Sequence, residues 1–228
     1  MIKITKRNEN EPRELQQYRL QNSSSSYSSM PTDIKKKVLE SLIAEQGGLC
    51  AYCMCKIDNK GGKRQATIEH CEPQSLSPEK SLDYDNMVAV CNGNRDHHSP
   101  EEKTCDARRG SLSIDKQSMK FLNVFDARKL EVIEYNKGDG TIFSNNLDAD
   151  EDLNYRLNLN CESRQLKKCR MEALKALMKD IEQKYVNKTI DNKHIEDLLT
   201  KILNNKEKIP FCGILIWWLK KKIRNKKH

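Results

Sequence analysis

Long apolar segments are missing from this sequence. Its longest run, at 211–219, has nine residues, whereas a helix that spans a bilayer needs about 20. The opening segment, MIKITKRNENEPREL, lacks the apolar stretch of a secretory signal peptide. Internal repeats and the phosphate-binding G-x-x-x-x-G-K-[ST] loop are missing too. We therefore expect a cytoplasmic protein that does not enter membranes and has no P-loop ATPase site of its own.

Basic residues and cysteines are abundant. The 228 residues include 41 lysines and arginines against 33 acids, a formal net charge of +8, which favours a polyanionic partner such as nucleic acid. Nine cysteines are present. A reducing cytosol disfavours disulfides, so metal ligation is the leading explanation for clustered cysteines. Six of them lie between positions 50 and 105.

Hydrophobic spacing predicts a mainly helical chain. Apolar residues recur every three to four positions in three segments, and an amphipathic segment that ends in a basic tail follows Pro210. On the longest of these helices Arg170 is the one polar residue of the apolar face. The predicted helices cover 32–46, 162–185 and 192–203.

Strand signals are fewer, so the predicted class is α+β. Alternating apolar and polar residues predict a strand at 65–71 and a hairpin from 129–135 and 141–144. The pattern at 148–159 is ambiguous, and a short helix is one interpretation of it. The serine-rich stretch at 22–29 is typical of a flexible linker. We divide the chain into 1–48, with the linker and one helix, 49–115, a compact metal module, and 116–228, the hairpin and helical region where a partner could dock.

Four cysteines have the spacing of a structural zinc site. Cys50 and Cys53 form a CxxC knuckle, and Cys91 and Cys105 are the best second pair, although thirteen polar residues separate them. Such an insertion can loop out without moving its ends. The alternative is that these cysteines are small buried hydrophobes. The competing ligands are Cys55, Cys71, His97 and His98. We assign the remaining cysteines to helices or the core; these are Cys161, Cys169 and Cys212.

An acid–histidine pair lies between the two cysteine pairs. Glu69 and His70 end the predicted strand, just before Pro73. A histidine can serve as general base and a neighbouring carboxylate can hold a divalent metal against a phosphate. Adjacent strand residues point to opposite faces, so a bend near Pro73 is needed to bring both into one site. Taken alone, a histidine such as His70 is more often structural than catalytic.

The order of these motifs resembles the HNH, or ββα-metal, nuclease family in its zinc-stapled form. The resemblance covers 49–110: the knuckle, Glu69-His70 followed by a proline, Asn86, the second cysteine pair, and Asp106 followed by Arg108 and Arg109. It implies His70 as general base and Asn86 as the residue that fixes the loop around it. Glu69 and Asp106 would bind catalytic Mg²⁺ or Mn²⁺, the four cysteines would bind structural Zn²⁺, and Arg108 or Arg109 would contact nucleic acid.

This sequence departs from the commoner family pattern in three places. Glu69 stands where aspartate is commoner, Asp106 stands where histidine or asparagine is commoner, and the second knuckle is expanded. The two carboxylates keep oxygen ligands, which suit magnesium or manganese. The expansion leaves the Cys91–Cys105 pairing the least secure of the assignments.

Motifs along the whole chain are similar to those of the HNH proteins of Septu-type and retron-associated antiphage systems, the PtuB group. The shared motifs are the MIKI start, LCAYC, TIEH, VCNGN, CDARRG and LNLN. The resemblance implies an effector nuclease that works with an ABC-like ATPase subunit of the PtuA type, and in some systems with a retron reverse transcriptase–RNA/DNA complex. A separate ATPase would agree with the missing phosphate-binding loop.

Two other functions remain open at this point. A zinc-ribbon module that binds nucleic acid or protein without chemistry explains the cysteines and the charge, but it does not explain the acid–histidine pair. An assembly subunit with a vestigial site is the third possibility. Trp217 and Trp218, beside the basic tail, need burial either in this chain's own core or against a partner. The tail residues are Lys220, Lys221, Lys222, Arg224, Lys226 and Lys227.

Overall fold

The chain is a mixture of helices and small antiparallel sheets. The computed structural model describes residues 1–21, 25–60, 65–185 and 191–225. Part of the predicted linker, 22–24, and Lys226 and Lys227 of the predicted tail lie outside these ranges. In the first half of the chain, the elements are α1 (Arg13–Gln21), α2 (Thr32–Glu45), β1 (Ala66–His70), β2 (Met87–Cys91) and α3 (Cys105–Arg109).

The second half contains one hairpin and five helices among its described residues. These are α4 (Ala127–Leu130), β3 (Ile133–Tyr135), β4 (Ile142–Ser144), α5 (Leu147–Glu151), α6 (Leu166–Lys184), α7 (Asn192–Asn204) and α8 (Cys212–Asn225). The predicted helices and hairpin are present, with shifted ends. The strand expected to begin at 129 begins at Ile133, because Asp126 accepts a hydrogen bond from the backbone N–H of Arg128 and starts α4 there.

Strands β1 and β2 form the two-stranded sheet that carries the motifs. Ala66 pairs with Cys91 and His70 with Met87. All five residues of β2 are buried, and α2 packs on the sheet. Gln46, just after α2, holds the sheet: its side-chain amide accepts from the N–H of Ala89 and donates to the Ala89 carbonyl. These bonds satisfy buried backbone groups that lie far from Gln46 in the sequence.

Buried apolar residues from all parts of the described chain form one core. It includes Leu15 of α1, Val38 of α2, Val88 of β2, Leu153 of the π-helical turn after α5, and Leu174 of α6. Arg170, the polar exception on α6, is also buried, and its guanidinium donates to the carbonyls of Gly140 and Leu159 and to the side chain of Asn160. A buried cation is tolerated here because carbonyl and amide oxygens replace its water.

The C-terminal apolar run packs largely within this chain. Cys212, Ile214 and Leu215 are buried in α8, while Trp217 and Trp218 are half-buried. Helix α8 packs against α6 and α7. No helix in the described part of the chain is both long and apolar enough to cross a membrane.

Candidate functional site

The four predicted cysteines meet at one point, which we call the cysteine cluster (Cys50, Cys53, Cys91 and Cys105). All four are buried, and their sulfurs lie within 4.8 Å of one another. The Sγ–Sγ distances are 3.9 Å for Cys50–Cys105, 3.7 Å for Cys53–Cys91 and 3.8 Å for Cys91–Cys105. Four sulfurs around a tetrahedral zinc, with bonds of about 2.3 Å, would lie about 3.8 Å apart. The cysteine cluster can therefore hold a metal ion.

Local backbone geometry places the four sulfurs. Gly47 and Gly48, both with positive φ, turn the chain out of α2 into the knuckle, where Met54 also has positive φ. Cys91 ends β2 and Cys105 begins α3. These positions tie the cluster to the sheet on one side and to helices on the other.

The thirteen-residue insertion between Cys91 and Cys105 is closed at its base. The N–H of Thr104 donates to the carbonyl of Gly93 at 2.8 Å. Gly93 has φ +62°, and a Cβ there would lie 2.2 Å from the Thr104 carbonyl oxygen, so only glycine fits. The insertion thus loops out while both of its ends stay at the cysteine cluster.

The competing ligands lie outside the cysteine cluster. His97 and His98 are exposed on the insertion, and His97 Nδ1 accepts from the N–H of Ser99. Cys55 is close to the cluster but lies outside the set of mutually near sulfurs. Burial raises the pKa of the Cys71 thiol to about 12, which keeps it protonated. All nine cysteines are free thiols.

Close packing couples the ionisation of the four thiols. Contact with Cys105 is the main cause that lowers the pKa of Cys91 to about 5. The pKa of Cys105 is raised well above its ordinary value, chiefly by its contact with Cys50. The thiolates of Cys50 and Cys91 are thus favoured at the expense of those of Cys53 and Cys105. Full ionisation of all four in this dry space would need a bound cation.

A second polar group lies at the ends of β1 and α3; we call it the carboxylate–histidine cluster (Glu69, His70 and Asp106). The carboxylates of Glu69 and Asp106 are close enough to share a hydrogen bond. Burial raises the pKa of Glu69 well above its ordinary value, an effect that the neighbouring Arg109 opposes and Asp106 reinforces. Carboxylates from two different elements therefore lie near each other.

His70 is held by both ring nitrogens. Its Nε2 lies 2.9 Å from the carbonyl oxygen of Ser81, which can only accept, so Nε2 carries the proton. Nδ1 lies 3.1 Å from the side-chain amide of Gln74, an available donor. Burial lowers the pKa of His70, and Arg109 lowers it further, against the opposite effects of Ser81 and Asp106. The imidazole is thus a neutral ring whose basic nitrogen is Nδ1.

Asn86 fixes the loop between β1 and β2. Its side-chain oxygen accepts from the N–H of Glu72 at 2.8 Å, and its amide donates to the carbonyls of Glu72 and Lys80 at 3.1 and 3.3 Å. Ser81, whose carbonyl holds His70, is the next residue after Lys80. Asn86 therefore connects both ends of the loop that orients the imidazole.

Two arginines balance the carboxylates. Arg109 is buried, forms an ion pair with Glu69, and donates to the carbonyls of His70 and Cys71. Arg95, on the insertion, forms an ion pair with Asp106 from a half-exposed position. Arg109 thus ties the backbone at the end of β1 to the Glu69 carboxylate.

The predicted nucleic-acid role of Arg109 needs correction. Its side chain is 4% exposed, so it has almost no surface to offer a strand, and it acts instead as an internal support of the carboxylate–histidine cluster. Arg108 is 11% exposed, donates to the carbonyl of Tyr155 and approaches Glu101. A buried arginine that reaches carbonyls 38 and 39 residues away has no signature in local sequence.

Sequence reasoning missed three residues around the cluster. Tyr27, in the predicted linker, packs its ring edge-on against His70 with the ring centres 4.6 Å apart. The hydroxyl of Tyr52 donates to Glu69 at 3.4 Å, and Gln74 contacts His70. The position of Tyr52 inside the CxxC knuckle and of Gln74 just after Pro73 were available signals. Nothing local distinguishes Tyr27 within a serine-rich stretch.

A scan against models of protein families gave no match, and a search of curated proteins gave none either.

Proposed function

We propose that this chain is a metal-dependent endonuclease of the HNH type, which hydrolyses phosphodiester bonds of nucleic acids. The observation that supports this most is the carboxylate–histidine cluster: two neighbouring carboxylates beside a neutral histidine, whose Nε2 lies 2.9 Å from the Ser81 carbonyl so that Nδ1 is the basic nitrogen. The order β1, β2, α3 and the adjacent cysteine cluster agree with a zinc-stapled ββα-metal module.

Each residue has a chemical task in this proposal. Nδ1 of His70 takes a proton from the attacking water, and the Ser81 carbonyl keeps the imidazole in the correct tautomer. Glu69 and Asp106 supply oxygens that suit Mg²⁺ or Mn²⁺. A divalent cation bound there would polarise the phosphate and stabilise the developing charge. Asn86 keeps the Ser81 loop at the correct distance from His70.

The wider role is also part of the proposal. The motifs shared with the PtuB group favour an antiphage effector nuclease that an ABC-like ATPase subunit controls, in some systems together with a retron reverse transcriptase complex. The contacts of His70 agree with external control: Tyr27 packs edge-on against the imidazole and Gln74 contacts Nδ1, so both would have to move before water and phosphate could enter. An isolated chain is expected to be less active than the assembled complex.

The direct test is the His70→Ala variant. Purified chain, alone and with the ATPase partner, is incubated with single- and double-stranded DNA and RNA in Mg²⁺ or Mn²⁺. Wild type should cut at least one substrate and the variant should lose more than about a hundredfold of the rate, since a general base contributes that much or more. His97→Ala, an exposed histidine on the insertion, is the matched control and should cut normally.

Zinc content separates this proposal from a non-catalytic zinc ribbon. Both His70→Ala and wild type should contain one zinc per chain by elemental analysis, because His70 is not part of the cysteine cluster. Loss of zinc from His70→Ala would make His70 structural. A zinc-loaded wild type that cuts no substrate even with its partner would favour a binding module instead.

A further inference from the structure

A cleft lies between the β3–β4 hairpin and α8. It has a volume of about 440 Å³ and is lined by four aromatic and three lysine side chains together with one asparagine. None of these residues contacts Glu69, His70 or Asp106 in the described part of the chain. The lining residues are Tyr135, Asn136, Lys137, Phe143, Trp217, Trp218, Lys221 and Lys222; we call this the aromatic–lysine cleft.

Two of the four aromatic rings of the cleft, Trp217 and Tyr135, are held in place by contacts within the chain. Trp217 donates its indole N–H to Glu134 at 2.8 Å and packs edge-on against Tyr135, with ring centres 5.8 Å apart. Tyr135 is buried, whereas Phe143, Trp217 and Trp218 remain partly exposed. Rigid, partly exposed rings are suited to stacking against flat groups, because little conformational entropy is lost on binding.

Positive charge surrounds these rings. The ammonium of Lys221 lies 4.7 Å from the centre of the Trp217 ring, and that of Lys222 lies 5.1 Å from the Trp218 ring. Lys137 is exposed on the hairpin turn. Glu134 pairs with Lys221 at 2.5 Å and is the neighbouring acid. Three lysines and no acidic residue line the cleft, which gives it a positive lining.

We propose that the aromatic–lysine cleft binds single-stranded nucleic acid, with unpaired bases on the rings and phosphates on the lysines. Stacking platforms beside lysines are the combination that recognises single strands without sequence preference. Paired bases in a duplex hide the faces that the rings require. An acidic peptide would satisfy the lysines but leave the rings unused. The proposed site lies apart from the carboxylate–histidine cluster, and its test does not depend on cleavage.

The chain carries its own reporter of this cleft. It has two tryptophans, Trp217 and Trp218, and both line the cleft. Stacked bases should therefore quench the intrinsic fluorescence of the whole protein. We would titrate His70→Ala protein, in which the proposed catalysis is removed, with an oligothymidylate of about twelve nucleotides. The matched probes are the same strand in a duplex with oligoadenylate, and polyglutamate of equal charge.

Two variants separate charge from stacking. The first is a triple variant with Lys137→Gln, Lys221→Gln and Lys222→Gln. Its log affinity should fall less steeply with log salt, by about 2 in the slope, since each phosphate contact on a single strand contributes about 0.7. The matched control changes three exposed lysines of α6 and α7, Lys175, Lys179 and Lys201, to glutamine. Phe143→Leu should weaken binding about tenfold by loss of stacking, and Phe121→Leu, a half-buried phenylalanine outside the cleft, should not.

The expected result is saturable quenching by the single strand, weak quenching by the duplex and polyglutamate, and loss of affinity in the cleft variants only. Equal quenching by polyglutamate would overturn the proposal, because charge alone would then explain the signal. Equal binding by the duplex, or equal effects of the control and cleft lysines, would overturn it too. Loss of cleavage in other experiments would leave this result untouched.

Discussion

The cysteine cluster and the carboxylate–histidine cluster share β1, β2 and α3 but are balanced in different ways. The four thiols contact one another, and these contacts lower the pKa of Cys91 and raise the pKa of Cys105. The carboxylates are instead paired with Arg109 and Arg95 of the same chain. A thiol cluster of this kind depends on a cation for full ionisation. The two carboxylates are already paired with arginines, and the divalent ion that we propose would have to compete with Arg95. We therefore expect the first to govern stability and the second to govern activity.

The largest effect should follow from Cys105→Ser. This change removes one of the four proposed zinc ligands, and a structural zinc would contribute folding free energy directly, so we expect loss of zinc and destabilisation by more than about 5 kcal/mol. Elemental analysis and denaturant unfolding measure both. Cys169→Ser, on the half-buried face of α6, is the control and should keep its zinc. Full zinc content in Cys105→Ser would show that Cys105 is not a zinc ligand.

Asn86→Ala should come next, and it tests whether the carboxylate–histidine cluster also has a structural part. The change deletes three hydrogen bonds to the loop between β1 and β2. We expect about 2–3 kcal/mol of destabilisation, normal zinc content and a large loss of cleavage. Asn59→Ala deletes a single surface bond to Glu40 and serves as control. Zinc loss in Asn86→Ala would mean that the two clusters are not separable.

Tyr27→Ala should shift the ionisation of His70. Burial lowers the pKa of His70 because the charged imidazolium is poorly solvated. Removal of the Tyr27 ring should let water reach the imidazole, so the pKa of His70 should rise toward about 6.5. Since a general base must be unprotonated, the acid limb of the cleavage profile should move to higher pH. An NMR titration measures the pKa directly. Tyr27→Phe keeps the ring and should leave the pKa in place; an equal shift in both variants would contradict this account.

Arg95→Gln should have the smallest effect. Arg95 neutralises Asp106 from a half-exposed position, and such ion pairs are worth up to about 1 kcal/mol. Without it, the carboxylates should bind Mn²⁺ up to about fivefold more tightly, as calorimetry on His70→Ala protein would measure. Arg128→Gln, which removes an exposed ion pair with Asp126, is the control. Weaker Mn²⁺ binding in Arg95→Gln would show that Arg95 supports the cluster instead of competing with the metal.

Much of the candidate site could be predicted because its residue types are chemically specific. CxxC and two later cysteines pointed to the four sulfurs that meet, and the insertion between them did not mask the pair. Strand and helix ends were less predictable. Lys129 and Leu130 alternate like strand residues, but the hydrogen bond at Asp126 places them in α4. Arg109 was predicted to contact nucleic acid because an arginine after an HNH-like motif suggests a phosphate contact. In the structure its buried guanidinium instead pairs with Glu69 and donates to the carbonyls of His70 and Cys71.

By itself, the sequence determined the four cysteines that meet, the acid–histidine pair, Asn86 and the helical character of the second half. These features depend on short spacings and on periodicity, which a chain displays without being folded. The tertiary structure alone decided the contacts of Tyr27 with His70, of Arg95 with Asp106 and of Arg109 with Glu69, and it assembled the aromatic–lysine cleft from β3, β4 and α8. Such contacts join distant segments, and burial, which local sequence does not encode, sets their strength.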